Sequence, residues 1–502
     1  MMMRILLPLV ALAIGSVHAA ERNIIFIVTD DQSPTLGCYG DPVAHSPAVD
    51  KLAEDGTLFR RAYATTASCS ASRSVVLSGL HNHFNGQFGH QHAYHKFSSF
   101  HNVVSLSLPL ALNRAGYRTG QIGKYHVSPE EVYRFESYLK GNARNAVQMA
   151  EVAKDFITDD DPRPFFLYFA TSDPHRGGGK DNTYPGKLKP DLFGNRPEKG
   201  SYDGIDEVFY DPKTVPVPAF LPDTPESRSE LAQYYQSGAR IDQGVAKLVE
   251  TLKEANLYDK TLIVFTADHG MAFAGAKTTV FEAGLHVPFI VRDPYQKRRG
   301  IESDAMISHV DIAPSFIDFA QALDRKKNRP KDFQEANDYW SDKDYVKRDN
   351  RGNRPFNSYH GQSWIDILDD AEANHRKTMF ASHTFHEITM YYPMRAVWDG
   401  DFKLIWNIAS GLPYPFASDL WASSTWQAQL EKGDHAFYGY MSVGSYVNRP
   451  AFELYNVREN RYEAVNLASN PEFAEVLESM KKKIKEFQKS TNDPWISKWD
   501  YE

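Results

Sequence analysis

The sequence predicts an α/β protein: one large, mostly parallel sheet flanked by helices, followed by a smaller C-terminal α+β subdomain. Two observations carry this. Over roughly the first two thirds of the chain, short apolar runs alternate with longer amphipathic stretches, the pattern of parallel strands joined by helical crossovers. Near residue 375 the pattern changes to short strand-like pieces closed by a single helix, as expected of a separate α+β unit.

The first strand is Asn23–Thr29 (NIIFIVT), an unbroken apolar run with no polar face, which suits burial on both sides of a parallel sheet. Further strands are expected at Arg118–Gly123, Phe165–Ala170, Thr261–Ala267 and 287–291; all but the first of these are strongly apolar. Helical periodicity falls between them at 48–55, 105–115, 145–157 and 226–255. The stretch 177–222 is rich in Gly, Pro and Asp without a period, so it reads as a long surface excursion of the kind that carries substrate contacts. Residues 324–354 are dense in charge and read as an insertion or loop. Strand-like pieces at 378–382, 394–398 and Phe402–Asn407, then a helix at 471–489, complete the chain, and no internal repeat is present. The resulting division is a leader at 1–20, a catalytic α/β domain at 21–374 and the subdomain at 375–502.

Composition narrows the function classes. A chain of 502 residues with 42% hydrophobic and 13% aromatic residues has ample material for a core. A net charge of -8 argues against a nucleic-acid-binding surface. The N-terminus reads Met1-Met2-Met3-Arg4, then an apolar run to Val17 and the small-residue close His18-Ala19-Ala20. That is the layout of a secretory signal peptide cleaved after Ala19 or Ala20, and its apolar run is too short to span a bilayer comfortably. No other segment approaches about 18 uninterrupted apolar residues. The expectation is therefore a secreted or periplasmic protein without stable membrane insertion.

Export permits disulfides, yet Cys38 and Cys69 are the only two cysteines. Two such residues would ordinarily pair or serve as small buried hydrophobes. The residues around Cys69 argue otherwise for that position: Cys69-Ser70-Ala71-Ser72-Arg73 places a thiol, two hydroxyls and a guanidinium together. Asp30-Asp31 follow the first strand, Lys124-Tyr125-His126 follow the second and Asp268-His269 follow the fourth. In open α/β sheets the ligand site lies outside the carboxyl ends of the strands, where all these pieces fall. Singly, an Asp pair is as well explained as a turn or helix cap, and a lone His as a structural residue. Their joint order along one sheet favours an anion-handling active site.

The string SCSASRSVVLSGLHNHFNGQFG resembles the signature of type I sulfatases, in which the cysteine is oxidised after translation to formylglycine. GYRTGQIGKYHV, RPFFLYFATSDPHR, RIDQGVAKLVETL and ELYNVRENRYEAVNLA extend the resemblance along nearly the whole mature chain, to sulfatases of the alkaline phosphatase superfamily. HEITMYYPMRAV points toward the heparan N-sulfatases, or sulfamidases. The resemblance implies a metal held by Asp30, Asp31, Asp268 and His269 together with the formylglycine at Cys69. Oxygen ligands suit Ca²⁺, with Mg²⁺ second, better than Zn²⁺. Many members carry Asn after the last Asp, so His269 is a departure.

The resemblance further implies that Arg73 and Lys124 stabilise the modified residue and the sulfuryl oxygens, and that Lys277 and His175 bind the sulfate. His175 would protonate the leaving atom, His126 would assist release of sulfate, and Asp268 would take a proton. Candidates for the sugar subsite are Tyr94, His95, His383, His386, Glu387 and Arg395. The expected partners are a sulfated oligosaccharide or polysaccharide and a formylglycine-generating maturation enzyme. N-sulfo and O-sulfate substrates stay equally open. A phosphatase or phosphodiesterase of the same superfamily, or an inactive sulfated-glycan-binding protein, are the competing readings.

Overall fold

The computed structural model describes residues 22–92, 94–340 and 356–501, so the proposed leader and part of the charged 324–354 segment lie outside the described residues. Its main sheet has eight strands: Asn23–Thr29 (β1), Thr57–Phe59 (β2), Arg118–Gly123 (β3), Ser137–Leu139 (β4), Phe165–Ala170 (β5), Thr261–Ala267 (β6), Phe289–Arg292 (β7) and Ile301–Ser303 (β8). They lie in the order β8-β2-β7-β6-β1-β5-β3-β4. Central β1 pairs in parallel with β5, from Ile24 opposite Phe166 to Val28 opposite Ala170, and with β6, from Asn23 opposite Thr261 to Thr29 opposite Ala267.

All seven β1 residues are buried because both faces of the sheet are covered. Side chains alternate across a strand, and the two cores divide accordingly. Ile24, Phe26 and Val28 join the core that holds Val76 and Leu77 of Cys69–Ser78 (α2) and Phe316 of the later helix Ile312–Phe319. Ile25 and Ile27 join the opposite core, with Ala150 of Ala146–Ile157 (α3) and Val245 and Leu248 of Pro225–Glu254 (α4). The 30-residue α4 starts where Thr224 accepts a hydrogen bond from the Ser227 amide and Pro225 occupies the first turn, a strong start signal.

A second, antiparallel sheet has the order Thr378–His383 (β9), Met394–Asp399 (β10), Phe402–Asn407 (β11), Phe452–Asn456 (β12). Helix Ala474–Ser490 (α5) packs Met480 and Ile484 against Val397, Leu404 and Leu454 of this sheet. The end of β9 reaches the main sheet's functional edge: the Ser382 amide donates to Thr65 O at 2.8 Å and the His90 amide to His386 O at 2.8 Å.

Three details depart from expectation. The strand anticipated at 287–291 is β7, displaced by two residues and antiparallel to both neighbours. Strands β2, β4 and β8, of three residues each, are too short to show a period, and β12 also went unread. The 177–222 stretch is only partly a surface excursion, since Phe193 and Tyr202 are buried and Phe193 packs on Tyr234 of α4 and on Phe273. Among the described residues, no helix is long and apolar enough to cross a membrane.

Candidate active site

The carboxyl ends of β1, β3, β5 and β6 deliver the charged groups to one place. Thr29 closes β1 and the chain turns at Asp31, whose φ of 61° is in the left-handed region that Asp tolerates better than most residues. Asp268, immediately after β6, fixes this turn. Its Oδ1 accepts from the amides of Asp31 and His269, both at 2.9 Å. Cys69 opens α2 after the extended N-cap Ser68, so the helix points its unpaired first-turn N–H groups toward the site. All ten α2 residues are buried.

Cys69 Sγ lies 3.4 Å from His269 Nε2 and 3.7 Å from Asp31 Oδ1, and His269 Nε2 is 3.1 Å from Asp31 Oδ1. His269 Nδ1 is 2.9 Å from Gly270 O. A carbonyl oxygen only accepts, so Nδ1 carries a proton; burial disfavours the imidazolium, but Asp268, Asp31 and Cys69 outweigh it and push the ring up to about 10, so Nε2 donates to Asp31 and would offer its lone pair only to an ion that displaces that proton. One ligand atom from each of Asp31, Cys69, Asp268 and His269 falls within 4.8 Å of the others. Donors about 2.4 Å from a shared Ca²⁺ can stand up to about 4.8 Å apart, so the buried set fits a divalent ion. Burial also pushes the Asp268 carboxyl up to about 7 against the opposing pull of His269 and Arg73, which marks it as short of positive charge.

Asp30 is held differently. One oxygen takes Arg73 at 3.2 Å and the other takes the Lys124 ammonium. Arg73, fully buried, also donates to Asp268 Oδ2 at 3.0 Å, Lys124 O at 3.0 Å and Tyr168 Oη at 3.2 Å. It therefore braces both flanks of the cluster. Burial opposes ionisation of Cys69, yet Lys124, Lys277 and His269 outweigh it and hold the thiol well below its ordinary range. Such a microenvironment makes a sulfur reactive. Cys38 is the contrast: half-buried beside Asp50, its thiol is pushed up by burial, and neither cysteine is in a disulfide.

Lys277 is buried and donates to Asp31 Oδ2 at 2.9 Å, to Asp419 Oδ2 at 2.8 Å and to His175 Nε2 at 2.9 Å. His175 is oriented by its Nδ1, 2.7 Å from Arg176 O. Arg144 ties that loop down through Asp173 at 2.9 Å and His175 O at 3.0 Å. The opposite side is a wall of imidazoles. His90 lies with its ring centroid 3.6 Å from that of His386 and 5.0 Å from that of His126. His386 Nδ1 meets Ser68 Oγ at 3.0 Å. Both ring nitrogens of His90 and Nδ1 of His126 are buried without a partner in the protein, so they are free to meet a bound ligand.

Of the expected sugar contacts, His383 and His386 are buried at this edge, while Tyr94 is exposed and Glu387 accepts from Ser418. The side chain of His95 lies outside the described set. Arg395 requires correction. It is fully buried on β10, with four of its five donors spent on Asp493 (2.9 Å for one contact) and on the carbonyls of His383 and Met394, so it presents no surface to a sugar. Sequence reasoning missed His90, Asp419, Tyr168 and Arg144. His90 follows directly on the SCSASRSVVLSGLHNHFNGQFG stretch, whereas Asp419 stands in no motif.

The sulfatase family profile matches residues 22–322. Human N-sulphoglucosamine sulphohydrolase is 34% identical over 496 residues, covering 97% of this chain and 93% of that protein. Among solved structures, BT4656 in complex with its substrate D-glucosamine-2-N,6-O-disulfate superposes with a TM-score of 0.61 at 19% identity, covering 94% of this chain and 99% of that one. A phosphonate monoester hydrolase of Agrobacterium radiobacter gives 0.63 at 17% identity, covering 94% and 96%. At these identities the two structures speak to the fold alone, which is the alkaline-phosphatase-like sheet expected above.

Proposed function

Because this chain belongs to the sulfatase family, whose members hydrolyse sulfate esters or sulfamates, we propose that it is an exported enzyme removing sulfate from the sugars of a sulfated glycan. The observation that carries the reading is the buried Cys69 at a helix N-terminus, within 4.8 Å of three ligating side chains and ringed by Arg73, Lys124 and Lys277. The human relative's name specifies an N-sulfated glucosamine, which supports a glycosaminoglycan substrate with either N-sulfo or O-sulfate groups.

Cys69, oxidised to formylglycine by a maturation enzyme, supplies the nucleophilic oxygen, and its burial beside the acids fits a residue whose modification is read by one site only. A divalent ion, Ca²⁺ ahead of Mg²⁺, would be held by Asp31, Asp268, His269 and residue 69 and would supply Lewis-acid polarisation; Asp30, whose oxygens are taken by Arg73 and Lys124, would join the set by exchanging Lys124 for the ion. The chain's own groups do the rest. Lys124 and Lys277 reach the sulfuryl oxygens from two sides, and the α2 amides oppose the same charge. Arg73 fixes Asp30 and Asp268 so that they do not swing to the substrate. His175, once protonated at the Nε2 that accepts from Lys277 in the free site, delivers that proton to the leaving oxygen or nitrogen, and His126, on the opposite wall, takes one during release. His386 and His383, with Tyr94, His95 and Glu387, are proposed to meet the sugar.

The test is sulfate release, followed by ion chromatography, from a panel of N-sulfated and O-sulfated oligosaccharides with a phosphonate monoester as a comparison. Sulfate release that disappears in Cys69→Ala, with the far-ultraviolet spectrum unchanged, is expected. Turnover of the phosphonate alone would favour the phosphohydrolase reading, and glycan binding without any turnover the inactive one. Full activity in protein whose Cys69 peptide carries only the thiol by mass would overturn the formylglycine assignment.

A further inference from the structure

Outside the active site, the C-terminal sheet carries a groove of about 620 Å³ between the end of β11, the start of β12, helix α5 and the short terminal helix Lys498–Tyr501. Its floor is aromatic. The rings of Trp406 and Trp499 lie 3.9 Å apart between centroids, and Phe452 stacks nearly parallel to both. Its walls are cationic, formed by Lys481, Lys482, Lys485 and Lys498. Lys481 sits 4.3 Å above the Phe452 ring and Lys485 4.5 Å above that of Trp499. The one acidic side chain in the lining is Glu478, which takes Lys481 at 2.7 Å.

This composition is unusual for the chain that bears it. The protein carries a net charge of -8, yet four ammonium groups and one carboxylate line a single groove. Lys481 and Lys485, four apart on α5, share a helix face, where like charges repel. Glu478 and Glu486 answer Lys481 and Lys482, and the aromatic faces stabilise the ammonium groups above them, yet the lining keeps an excess of positive charge that a polyanion would meet. A sulfated saccharide suits this lining: its sulfates answer the ammonium groups, and the apolar carbons of its rings lie against the half-buried Phe452 and Trp499 and the lysine stems that cross them.

The groove lies at the same end of the sheet as His383, its Trp406 floor on the opposite face, under α5. His383, at the end of β9, is in register with Met394 on β10, which is in register with Asn407, a groove residue on β11. Two strand spacings separate them, roughly 10 Å, about the length of a disaccharide.

We propose that this groove is a second glycan-binding site, holding the sulfated chain while the sugar to be desulfated occupies the site at Cys69. The proposal rests on the sulfated-glycan reading of the active site. It is tested in the full chain with the triple variant Lys481→Ser/Lys482→Ser/Lys485→Ser, its triple Lys→Arg counterpart and Trp499→Ala. Binding of a size-fractionated heparin octasaccharide is measured by titration calorimetry in the Cys69→Ala background, and kcat/KM is measured on a sulfated disaccharide and on the octasaccharide.

The triple Ser variant should weaken octasaccharide binding about tenfold, the worth of three exposed ion pairs. The disaccharide kcat/KM should stay within about twofold and the Arg counterpart should bind as the wild type does. Unchanged octasaccharide affinity in the triple Ser variant and in Trp499→Ala overturns the site. Equal wild-type affinity for a DNA oligonucleotide of matched charge overturns the assignment to a sulfated saccharide. If the wild type releases no sulfate from either saccharide but octasaccharide binding still falls in the triple variant, the groove stands and the proposed activity fails.

Discussion

Glu230 offers the most demanding test of how the active-site loop is held. This α4 residue is completely buried and receives Arg176 at 2.9 Å, Thr425 Oγ1 at 2.6 Å, Ser424 through its amide (3.1 Å) and hydroxyl (3.0 Å), and the Asp191 amide at 3.3 Å. One carboxylate thus joins the segment after His175, the long central helix and the C-terminal region around Asp419. Burial alone would raise its pKa, but Arg176 and these donors outweigh it and lower the value from 4.5 to about 2. A depression of this size corresponds to about 3 kcal/mol. Because the folded value is the lower one, the contribution is complete above about pH 4.5 and drains away as pH falls toward about 2. Glu230→Gln keeps the volume but turns an amide NH₂ toward donors and leaves Arg176 buried without its countercharge. The expected loss at pH 7 is about 3–5 kcal/mol, the cost of breaking a buried pair from one side. Urea unfolding of wild type and variant across pH 2–7 reads this directly. The difference between them should be flat above about pH 5 and shrink below it. A gap that is equally large at pH 2.5 and pH 7, or absent throughout, would refute the argument that ionised Glu230 is the clasp.

Arg395→Met should cost about 3–5 kcal/mol of stability by stranding buried Asp493, while kcat/KM of the enzyme still folded at 25 °C stays within about twofold, as a structural rather than sugar-binding residue requires. Asp419→Asn leaves Asp31 as the one carboxylate on Lys277, beside His175, and should lower kcat/KM about tenfold with little change in unfolding midpoint; unaltered kinetics would show that Lys277 needs no second carboxylate. His269→Asn replaces an imidazole by a harder amide oxygen and should shift the Ca²⁺ to Mn²⁺ affinity ratio toward Ca²⁺ by about tenfold, read by calorimetry and by elemental analysis of the isolated protein; an unchanged ratio would remove His269 from the ligand set. Chelator-treated protein should bind inorganic sulfate at least about tenfold more weakly than protein with Ca²⁺ restored, with equal affinity counting against a metal-dependent anion site.

What could be read from the chain follows from how local each signal is. Asp30, Asp31 and Asp268 were legible because each directly follows an apolar run whose burial on both faces fixes it as a central strand, and the end of such a strand has a known place in the fold. The orientation of β7 was not legible, since three apolar residues before an arginine pack equally well in either direction and the choice lies in the connection from β6. Arg395 shows a different limit. An arginine in a tyrosine-rich stretch reads as a surface contact, and only the partner 98 residues later, Asp493, makes its burial affordable. Asp419 and His90 escaped for the same reason: the first matters through Lys277, 142 positions away, and the second through His386. Neither pairing leaves a spacing in the sequence.

The charges around Cys69 explain why these residues belong together. Asp30, Asp31, Asp268 and Asp419 face Arg73, Lys124 and Lys277, and every one of the three cations already touches a carboxylate. Four acids against three bases is a poor receptor for an anion, because an arriving sulfate would have to compete for ammonium groups that acids hold at 2.8 to 2.9 Å around Lys277. On the proposed metal-dependent reading, a divalent ion held by Asp31, Asp268 and His269 would reverse that balance, since it would engage Asp31 and Asp268 and leave Lys277 to the substrate. Arg73 cannot do this work itself, as its donors are spent on Asp30, Asp268, Lys124 O and Tyr168. On the proposed metal-dependent reading the acidic cluster and Lys277 would work as one device: the acids would hold the ion, and Lys277 would then be released toward an anion at Cys69.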